Sequence, residues 1–105
     1  TTAIYAGMHV AKFGTPEMKQ DIVPKIVAGK VKLALAMSEP GTGSDVAGIK
    51  TSAVRDRDDY VINGSKVWIT CAHVADYLVA IVKTDKQARH SGISTILVPT
   101  NAPGV

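Results

Sequence analysis

The sequence predicts an α+β fold, in which N-terminal helices are followed by an antiparallel β-rich domain. Three observations carry this. Apolar residues recur every four positions up to Gly29, the spacing of one helix face. From Val31 to Met37 they alternate with Lys32, Ala34 and Ala36, the period of a strand. After Ile49, five β-like runs separated by turn residues fill the remainder.

In order, Ile4, Met8 and Ala11 mark the apolar face of a helix over residues 1–13, with Gly14 as its stop. Thr15-Pro16-Glu17 supplies an N-cap hydroxyl, a proline at the first helical position and an acid in the first turn of a second helix. Met18, Ile22 and Ile26 form its buried stripe. Pro24 is expected to kink or restart it, because proline removes a backbone donor and disfavours αR at the residue before it. Gly29 ends it.

The β-like runs are 49–54, 59–62, 65–70, 75–84 and 93–99. Asn63-Gly64 is a strong hairpin signal, because a type I′ turn needs positive φ at both positions. With that turn, Tyr60, Ile62, Val67 and Ile69 share an apolar side, and Val61, Lys66, Trp68 and Thr70 share the other. Two readings of the second face stay open. It is the wall of a site for a flat polar ligand, or a solvent edge where a Trp sits beside a Thr of high strand propensity. Asp85 to Gly92 reads as an exposed loop.

The 105 residues allow at most one compact domain. The chain lacks an initial Met and a signal peptide, and is expected to be part of something longer. A net charge of +3 raises nucleic acid as a partner, but the cations are scattered and no basic-aromatic stripe exists to stack on bases. No apolar run is long enough for a membrane span. With Cys71 as the single cysteine, no internal disulfide can form. His9, His73 and His90 lack metal-ligand spacing, so no metal site is expected.

The stretch Leu35-Ala36-Met37-Ser38-Glu39-Pro40-Gly41-Thr42-Gly43-Ser44-Asp45 looks the most chemical. It has no Gly-Lys-Ser/Thr, so it is not a Walker A loop. It is one glycine short of a Rossmann turn and is followed by β-like text rather than a helix. Ser44 lacks a placed base and a nucleophile elbow. Glu39 before Pro40 reads as a turn or cap residue. What remains is a loop of hydroxyls and backbone N–H groups that binds and orients.

Residues 36–45, followed by Tyr60-Val61-Ile62-Asn63-Gly64-Ser65-Lys66-Val67-Trp68-Ile69-Thr70, resemble the acyl-CoA dehydrogenase family, in its "SEPGAGSD" and "NGxKxWIT" blocks. Gly92-Ile93-Ser94, Pro103-Gly104 and Phe13-Gly14-Thr15-Pro16-Glu17 are similar to the family as well. The resemblance implies that residues 1–30 are the end of an N-terminal helical domain and residues 31–105 part of the middle β domain, a partial β-barrel in an incomplete fragment of that fold. It implies FAD as cofactor, with Leu35, Ala36, Met37, Ser38, Gly43, Ser44, Trp68, Ile69 and Thr70 as cofactor-binding residues. Ser38 would serve the pyrimidine edge, Trp68 would pack on the isoalloxazine and Thr70 would sit near N5. Ser44 would also contact the acyl-CoA substrate.

The implied reaction is α,β-dehydrogenation of an acyl-CoA thioester. A carboxylate takes the α-proton while the β-hydrogen leaves as hydride. That base belongs to the family's C-terminal bundle, so no catalytic residue is expected in this chain. Glu17 and Glu39 are not at its position. Electron-transferring flavoprotein as electron acceptor, a homotetramer or dimer, fatty acid β-oxidation, and a bacterial cytoplasmic or mitochondrial matrix location are implied likewise. An acyl-CoA oxidase on the same scaffold, or a non-enzymatic β-rich binding domain, are the alternatives. Two departures stand out: Cys71 replaces a frequent Asn, and Thr42 a common Ala or Gly.

Overall fold

The computed structural model describes residues 2–105. Residue 1, which the predicted first helix included, lies outside them. Two helices, α1 (Thr2–Phe13) and α2 (Pro16–Val27), precede five strands: β1 (Leu33–Ala36), β2 (Ser52–Asp56), β3 (Asp59–Asn63), β4 (Tyr77–Lys83) and β5 (Ile93–Pro99). The strands form one sheet in the order β1-β4-β2-β3, with β5 also paired to β4. The α+β class stands, and the sheet is mixed, because β2 meets β4 in parallel at Ser52 and Lys83.

The caps of α2 follow from its sequence. Thr15 sits in extended conformation and its hydroxyl accepts from the Met18 amide at 3.2 Å, satisfying one of the orphan donors of the first turn. At the other end Gly29 takes φ 73. The Lys30 amide donates to Lys25 O at 2.8 Å and the Gly29 amide to Ile26 O at 3.0 Å, the paired closure of a Schellman motif. Pro24 lies inside α2 and does not restart it. Its ring removes one backbone donor, while the stripe of Met18, Ile22 and Ile26 carries packing past it.

The chain divides into two compact units. One takes in the chain to Leu35, with Thr70–Val79 and Leu97–Val105. Its core is Ala6, Val10, Ile22, Leu33 and Val79, flanked by Met18, Ile26 and Leu97 among others. The predicted face of α1 needs correction: Ile4 and Met8 are exposed, and the buried stripe is Ala6 and Val10. Gly7 lies beside α2, where a Cβ would make ordinary contact with Ile26 at 3.7 Å. Asp76 ties this unit together. Its carboxylate accepts from the Lys32 amide and its own amide donates to Lys32 O, both at 2.8 Å.

The other unit comprises Ala36–Ile69 and Ala80–Ile96. Its hairpin is not the predicted one. β2 pairs with β3 from Ser52↔Asn63 to Asp56↔Asp59, so Arg57-Asp58 makes the turn. Arg57 adopts φ 59 there without being glycine. Residues 65–70 form no strand, so the predicted two-faced hairpin through Asn63-Gly64 does not exist. Left-handed backbone at Trp68 (φ 59) and Cys71 (φ 65) is incompatible with an extended run. The Tyr60 ring, assigned to an apolar core face, is exposed and lies under the Arg55 guanidinium at 5.5 Å.

Gly64 has a different task from the one its dipeptide suggests. At φ 152 its backbone lies against Thr51, and a Cβ there would fall 2.6 Å from Thr51 Cα. This close approach seats the 64–69 segment beside the start of β2.

Candidate functional site

The loop after β1 is built on a two-residue turn. Glu39 and Thr42 exchange backbone hydrogen bonds, Glu39 N to Thr42 O at 3.0 Å and Thr42 N to Glu39 O at 3.1 Å. Pro40 presets φ for the first corner. The Thr42 hydroxyl then donates to Asp45 O at 2.7 Å, so this departure from the family's small residue has a local use. A single turn of 3-10 helix follows at Val46–Gly48. The Rossmann alternative therefore fails in the structure as in the sequence, since no amphipathic helix opens here.

Glu39 anchors the loop from beneath. It is 7% exposed. One carboxylate oxygen accepts from the Lys50 amide at 2.6 Å, and the other from the Thr51 amide at 3.0 Å and from Lys66 Nζ at 2.8 Å. Burial alone would raise its pKa, but the Lys50 amide, the Lys66 ammonium and the Thr51 amide outweigh it and hold the carboxyl down at about 2. Such a group is a fixed anion. It is too weak a base to abstract a proton at neutral pH.

Lys66 joins two segments. Its ammonium, largely buried, donates to Glu39 Oε2 and to Met37 O, the latter at 2.9 Å. The next residue continues the join, with Val67 N donating to Ser38 O at 2.9 Å. Immediately beyond, Trp68 is 91% exposed on its left-handed backbone. A bulky non-glycine residue in that region is a strained outlier, and here it holds an indole plane out into solvent.

The structure thus brings together Met37, Ser38 and the segment ending in Trp68 and Ile69, all within one unit. Met37, Ser38 and Ile69 are half-buried, while Gly43 and Ser44 are exposed. Leu35 and Thr70 belong to the other unit, Leu35 against its core and Thr70 exposed. Ala36 is 1% exposed, so only its main chain is available to a ligand. Cys71 is exposed and heads the 3-10 turn Ala72–Val74 rather than filling a buried niche. Sequence reasoning missed Lys66 as the partner of Glu39. Spacing gave no signal for it, since Ala34 and Ala36 are more buried than Leu35 and Met37 and the burial of Glu39 follows no alternation.

Residues 34–105 match the model of the acyl-CoA dehydrogenase middle domain. The chain belongs to the acyl-CoA dehydrogenase family. It is 42% identical over 99 residues to acyl-CoA dehydrogenase FadE26 of Mycobacterium tuberculosis, covering 90% of this chain and 25% of that protein. The solved acyl-CoA dehydrogenase of Geobacillus kaustophilus superimposes with a TM-score of 0.90 at 47% identity, over 93% of this chain and 26% of that one. A structure described as PigA with FAD and proline matches at a TM-score of 0.89 and 32% identity, over 92% and 25%. The chain spans about a quarter of the length of these relatives.

Within an acyl-CoA dehydrogenase chain the two joined segments take on a definite chemical character. They present an aromatic plane, hydroxyls at Ser38 and Ser44, and main-chain donors around open glycines: nothing lies within 4 Å of where a Cβ would be at Gly41 or Gly43. That donor set fits a flat, polar, uncharged ring system, which is what a flavin is. No group of His, Cys, Asp and Glu among the described residues could hold a metal ion. No helix among them is long and apolar enough to cross a membrane.

Proposed function

We propose that the protein carrying this chain is an FAD-dependent enzyme that dehydrogenates acyl-CoA thioesters between the α and β carbons, and that this chain supplies flavin- and substrate-facing segments. Residues 1–30 are read as the end of an N-terminal helical domain and 31–105 as part of the middle β domain. One observation carries the reading: the exposed, left-handed Trp68 directly follows the Lys66–Glu39 join, in a chain of this family.

FAD, when bound, supplies the hydride acceptor. The chain's own residues bind and orient. Main-chain groups of Leu35, Ala36 and Met37 and the hydroxyl and main chain of Ser38 serve the polar edge of the ring. Gly43 lets backbone approach closely. Trp68 stacks on the flat system and Ile69 packs beside it. The Thr70 hydroxyl donates near the reacting edge, and Ser44 holds the acyl-CoA. The general base lies outside this chain, because Glu39 is held as an anion with both oxygens engaged. Electron-transferring flavoprotein as acceptor, a homo-oligomeric assembly and a role in fatty acid oxidation complete the reading.

The test is FAD binding by the full-length protein, followed by flavin fluorescence. Trp68→Ala is expected to weaken binding about tenfold, the equivalent of roughly 1.4 kcal/mol of lost stacking. Unchanged affinity would remove Trp68 from the site. Failure of the unaltered protein to bind FAD would remove the function.

A further inference from the structure

We propose that the Glu39–Lys66 pair is the positioning device of the flavin-facing edge: Lys66 sets where Ser38 and Trp68 stand, and does so through a buried ammonium shared between Glu39 and the Met37 carbonyl. The inference rests on the functional reading above, and it concerns residues that touch neither flavin nor substrate in that reading.

The geometry makes the case. Lys66 has three N–H donors, and two are committed, to Glu39 Oε2 at 2.8 Å and to Met37 O at 2.9 Å. These bonds reach 27 and 29 residues back along the chain, so they fix one segment against another rather than shaping a local turn. Glu39 cannot drift to follow Lys66, because the Lys50 amide holds its Oε1 and the Thr51 amide holds Oε2, the oxygen that Lys66 also grips. Ser38 lies between the two residues whose groups Lys66 grips. Its carbonyl takes the amide of Val67, the residue between Lys66 and Trp68. A displacement of the ammonium therefore moves Ser38 and Trp68 together.

The alternative reading of a buried ion pair is purely a matter of folding. Pairs of this kind are weak contributors to net stability, and a well-packed apolar replacement is often tolerated. Their attested use is to fix register. Lys66 is the residue that sets the register between 36–39 and 66–68.

The test uses the full-length holoenzyme with Lys66→Met, Lys66→Arg and Glu39→Gln. The readouts are the FAD dissociation constant, the visible circular dichroism of bound flavin, and kcat and KM at saturating FAD. Lys66→Met is expected to weaken FAD about tenfold or more, alter the flavin dichroism, and lower kcat by roughly tenfold to a hundredfold while KM for acyl-CoA changes little. Lys66→Arg, which keeps a charged donor, is expected to recover part of each. If Lys66→Met fails to fold, Glu39→Gln carries the same expectations, since it keeps acceptor oxygen and shape but loses the charge. Variants that fold and match the unaltered enzyme in affinity, dichroism and kcat overturn the proposal. So does loss of folding in both Lys66→Met and Glu39→Gln, which would assign the pair to folding alone. An unaltered enzyme that neither binds FAD nor acts on acyl-CoA would instead overturn the functional reading on which this rests.

Discussion

Substituting Gly64 separates two reasons for the Asn63-Gly64 pair, a turn or a close approach. In the turn reading, Gly64→Ala strains only φ. In the structure it does more, because the new Cβ would fall 2.6 Å from Thr51 Cα, a backbone atom that cannot rotate away. Strain at a sparsely populated φ costs about 1–3 kcal/mol, and forcing a methyl into a packed contact adds about 1–3 kcal/mol, so Gly64→Ala should destabilise by about 2–6 kcal/mol. Gly29 is the internal control. Its φ of 73 is also left-handed, but a Cβ there meets nothing within 4 Å. Gly29→Ala should therefore cost only about 1–2 kcal/mol. The assay is urea unfolding of the full-length protein, with hydrogen exchange locating the loss to the amides around Thr51 and Val67. Adding Thr51→Gly to Gly64→Ala should not restore stability, because the obstructing Cα remains. Equal costs at Gly29 and Gly64, or rescue by Thr51→Gly, would refute the close-approach argument.

Glu39→Gln should also change the acid limb of stability. A carboxyl held at about 2 in the fold, against an ordinary 4.5, contributes stability that is fully present above its unfolded pKa and is lost as pH falls from there toward the folded value. The contribution is on the order of 3 kcal/mol. Unfolding measured between pH 7 and pH 2 should show the gap between the unaltered protein and the variant closing below about pH 4.5; a gap constant with pH would contradict the assignment. Ile22, 5% exposed at the centre of the helical core, should cost about 2–5 kcal/mol as alanine, read as a lowered urea midpoint. Thr15→Ala removes the hydroxyl that accepts from Met18 and should cost about 1 kcal/mol by the same measurement.

The helices were legible because their signals are local. Thr15 and Gly29 act through bonds within five positions, which the structure shows, and Pro16 through its fixed φ. The buried stripe of α2 was legible by spacing, whereas that of α1 was not. The packing of α1 buries Ala6 and Val10, whereas hydrophobicity counting favours Ile4 and Met8. The strand after Gly29 followed from alternation, and the last strand from its run of β-like residues. The hairpin was misplaced because Arg57 makes the actual turn at φ 59 without a glycine, while the glycine that advertised a turn serves a contact with Thr51. For the site, the family blocks singled out two segments that the structure joins through Lys66 and Glu39. The argument that put Trp68 and Thr70 on one face of a strand did not survive, since no strand runs there. Glu39 was rightly read as a turn residue, but a bond across 27 residues to Lys66 leaves no periodic trace in either segment.

The central claim is that these segments serve a flavin and an acyl-CoA thioester in an enzyme. The most direct measurement is an anaerobic titration of the purified full-length protein with acyl-CoA, following the visible absorbance of its bound flavin. The account predicts that the flavin is reduced as substrate is added. It also predicts that electron-transferring flavoprotein reoxidises it, while air does so slowly. Bound flavin that stays oxidised in excess acyl-CoA would contradict the account.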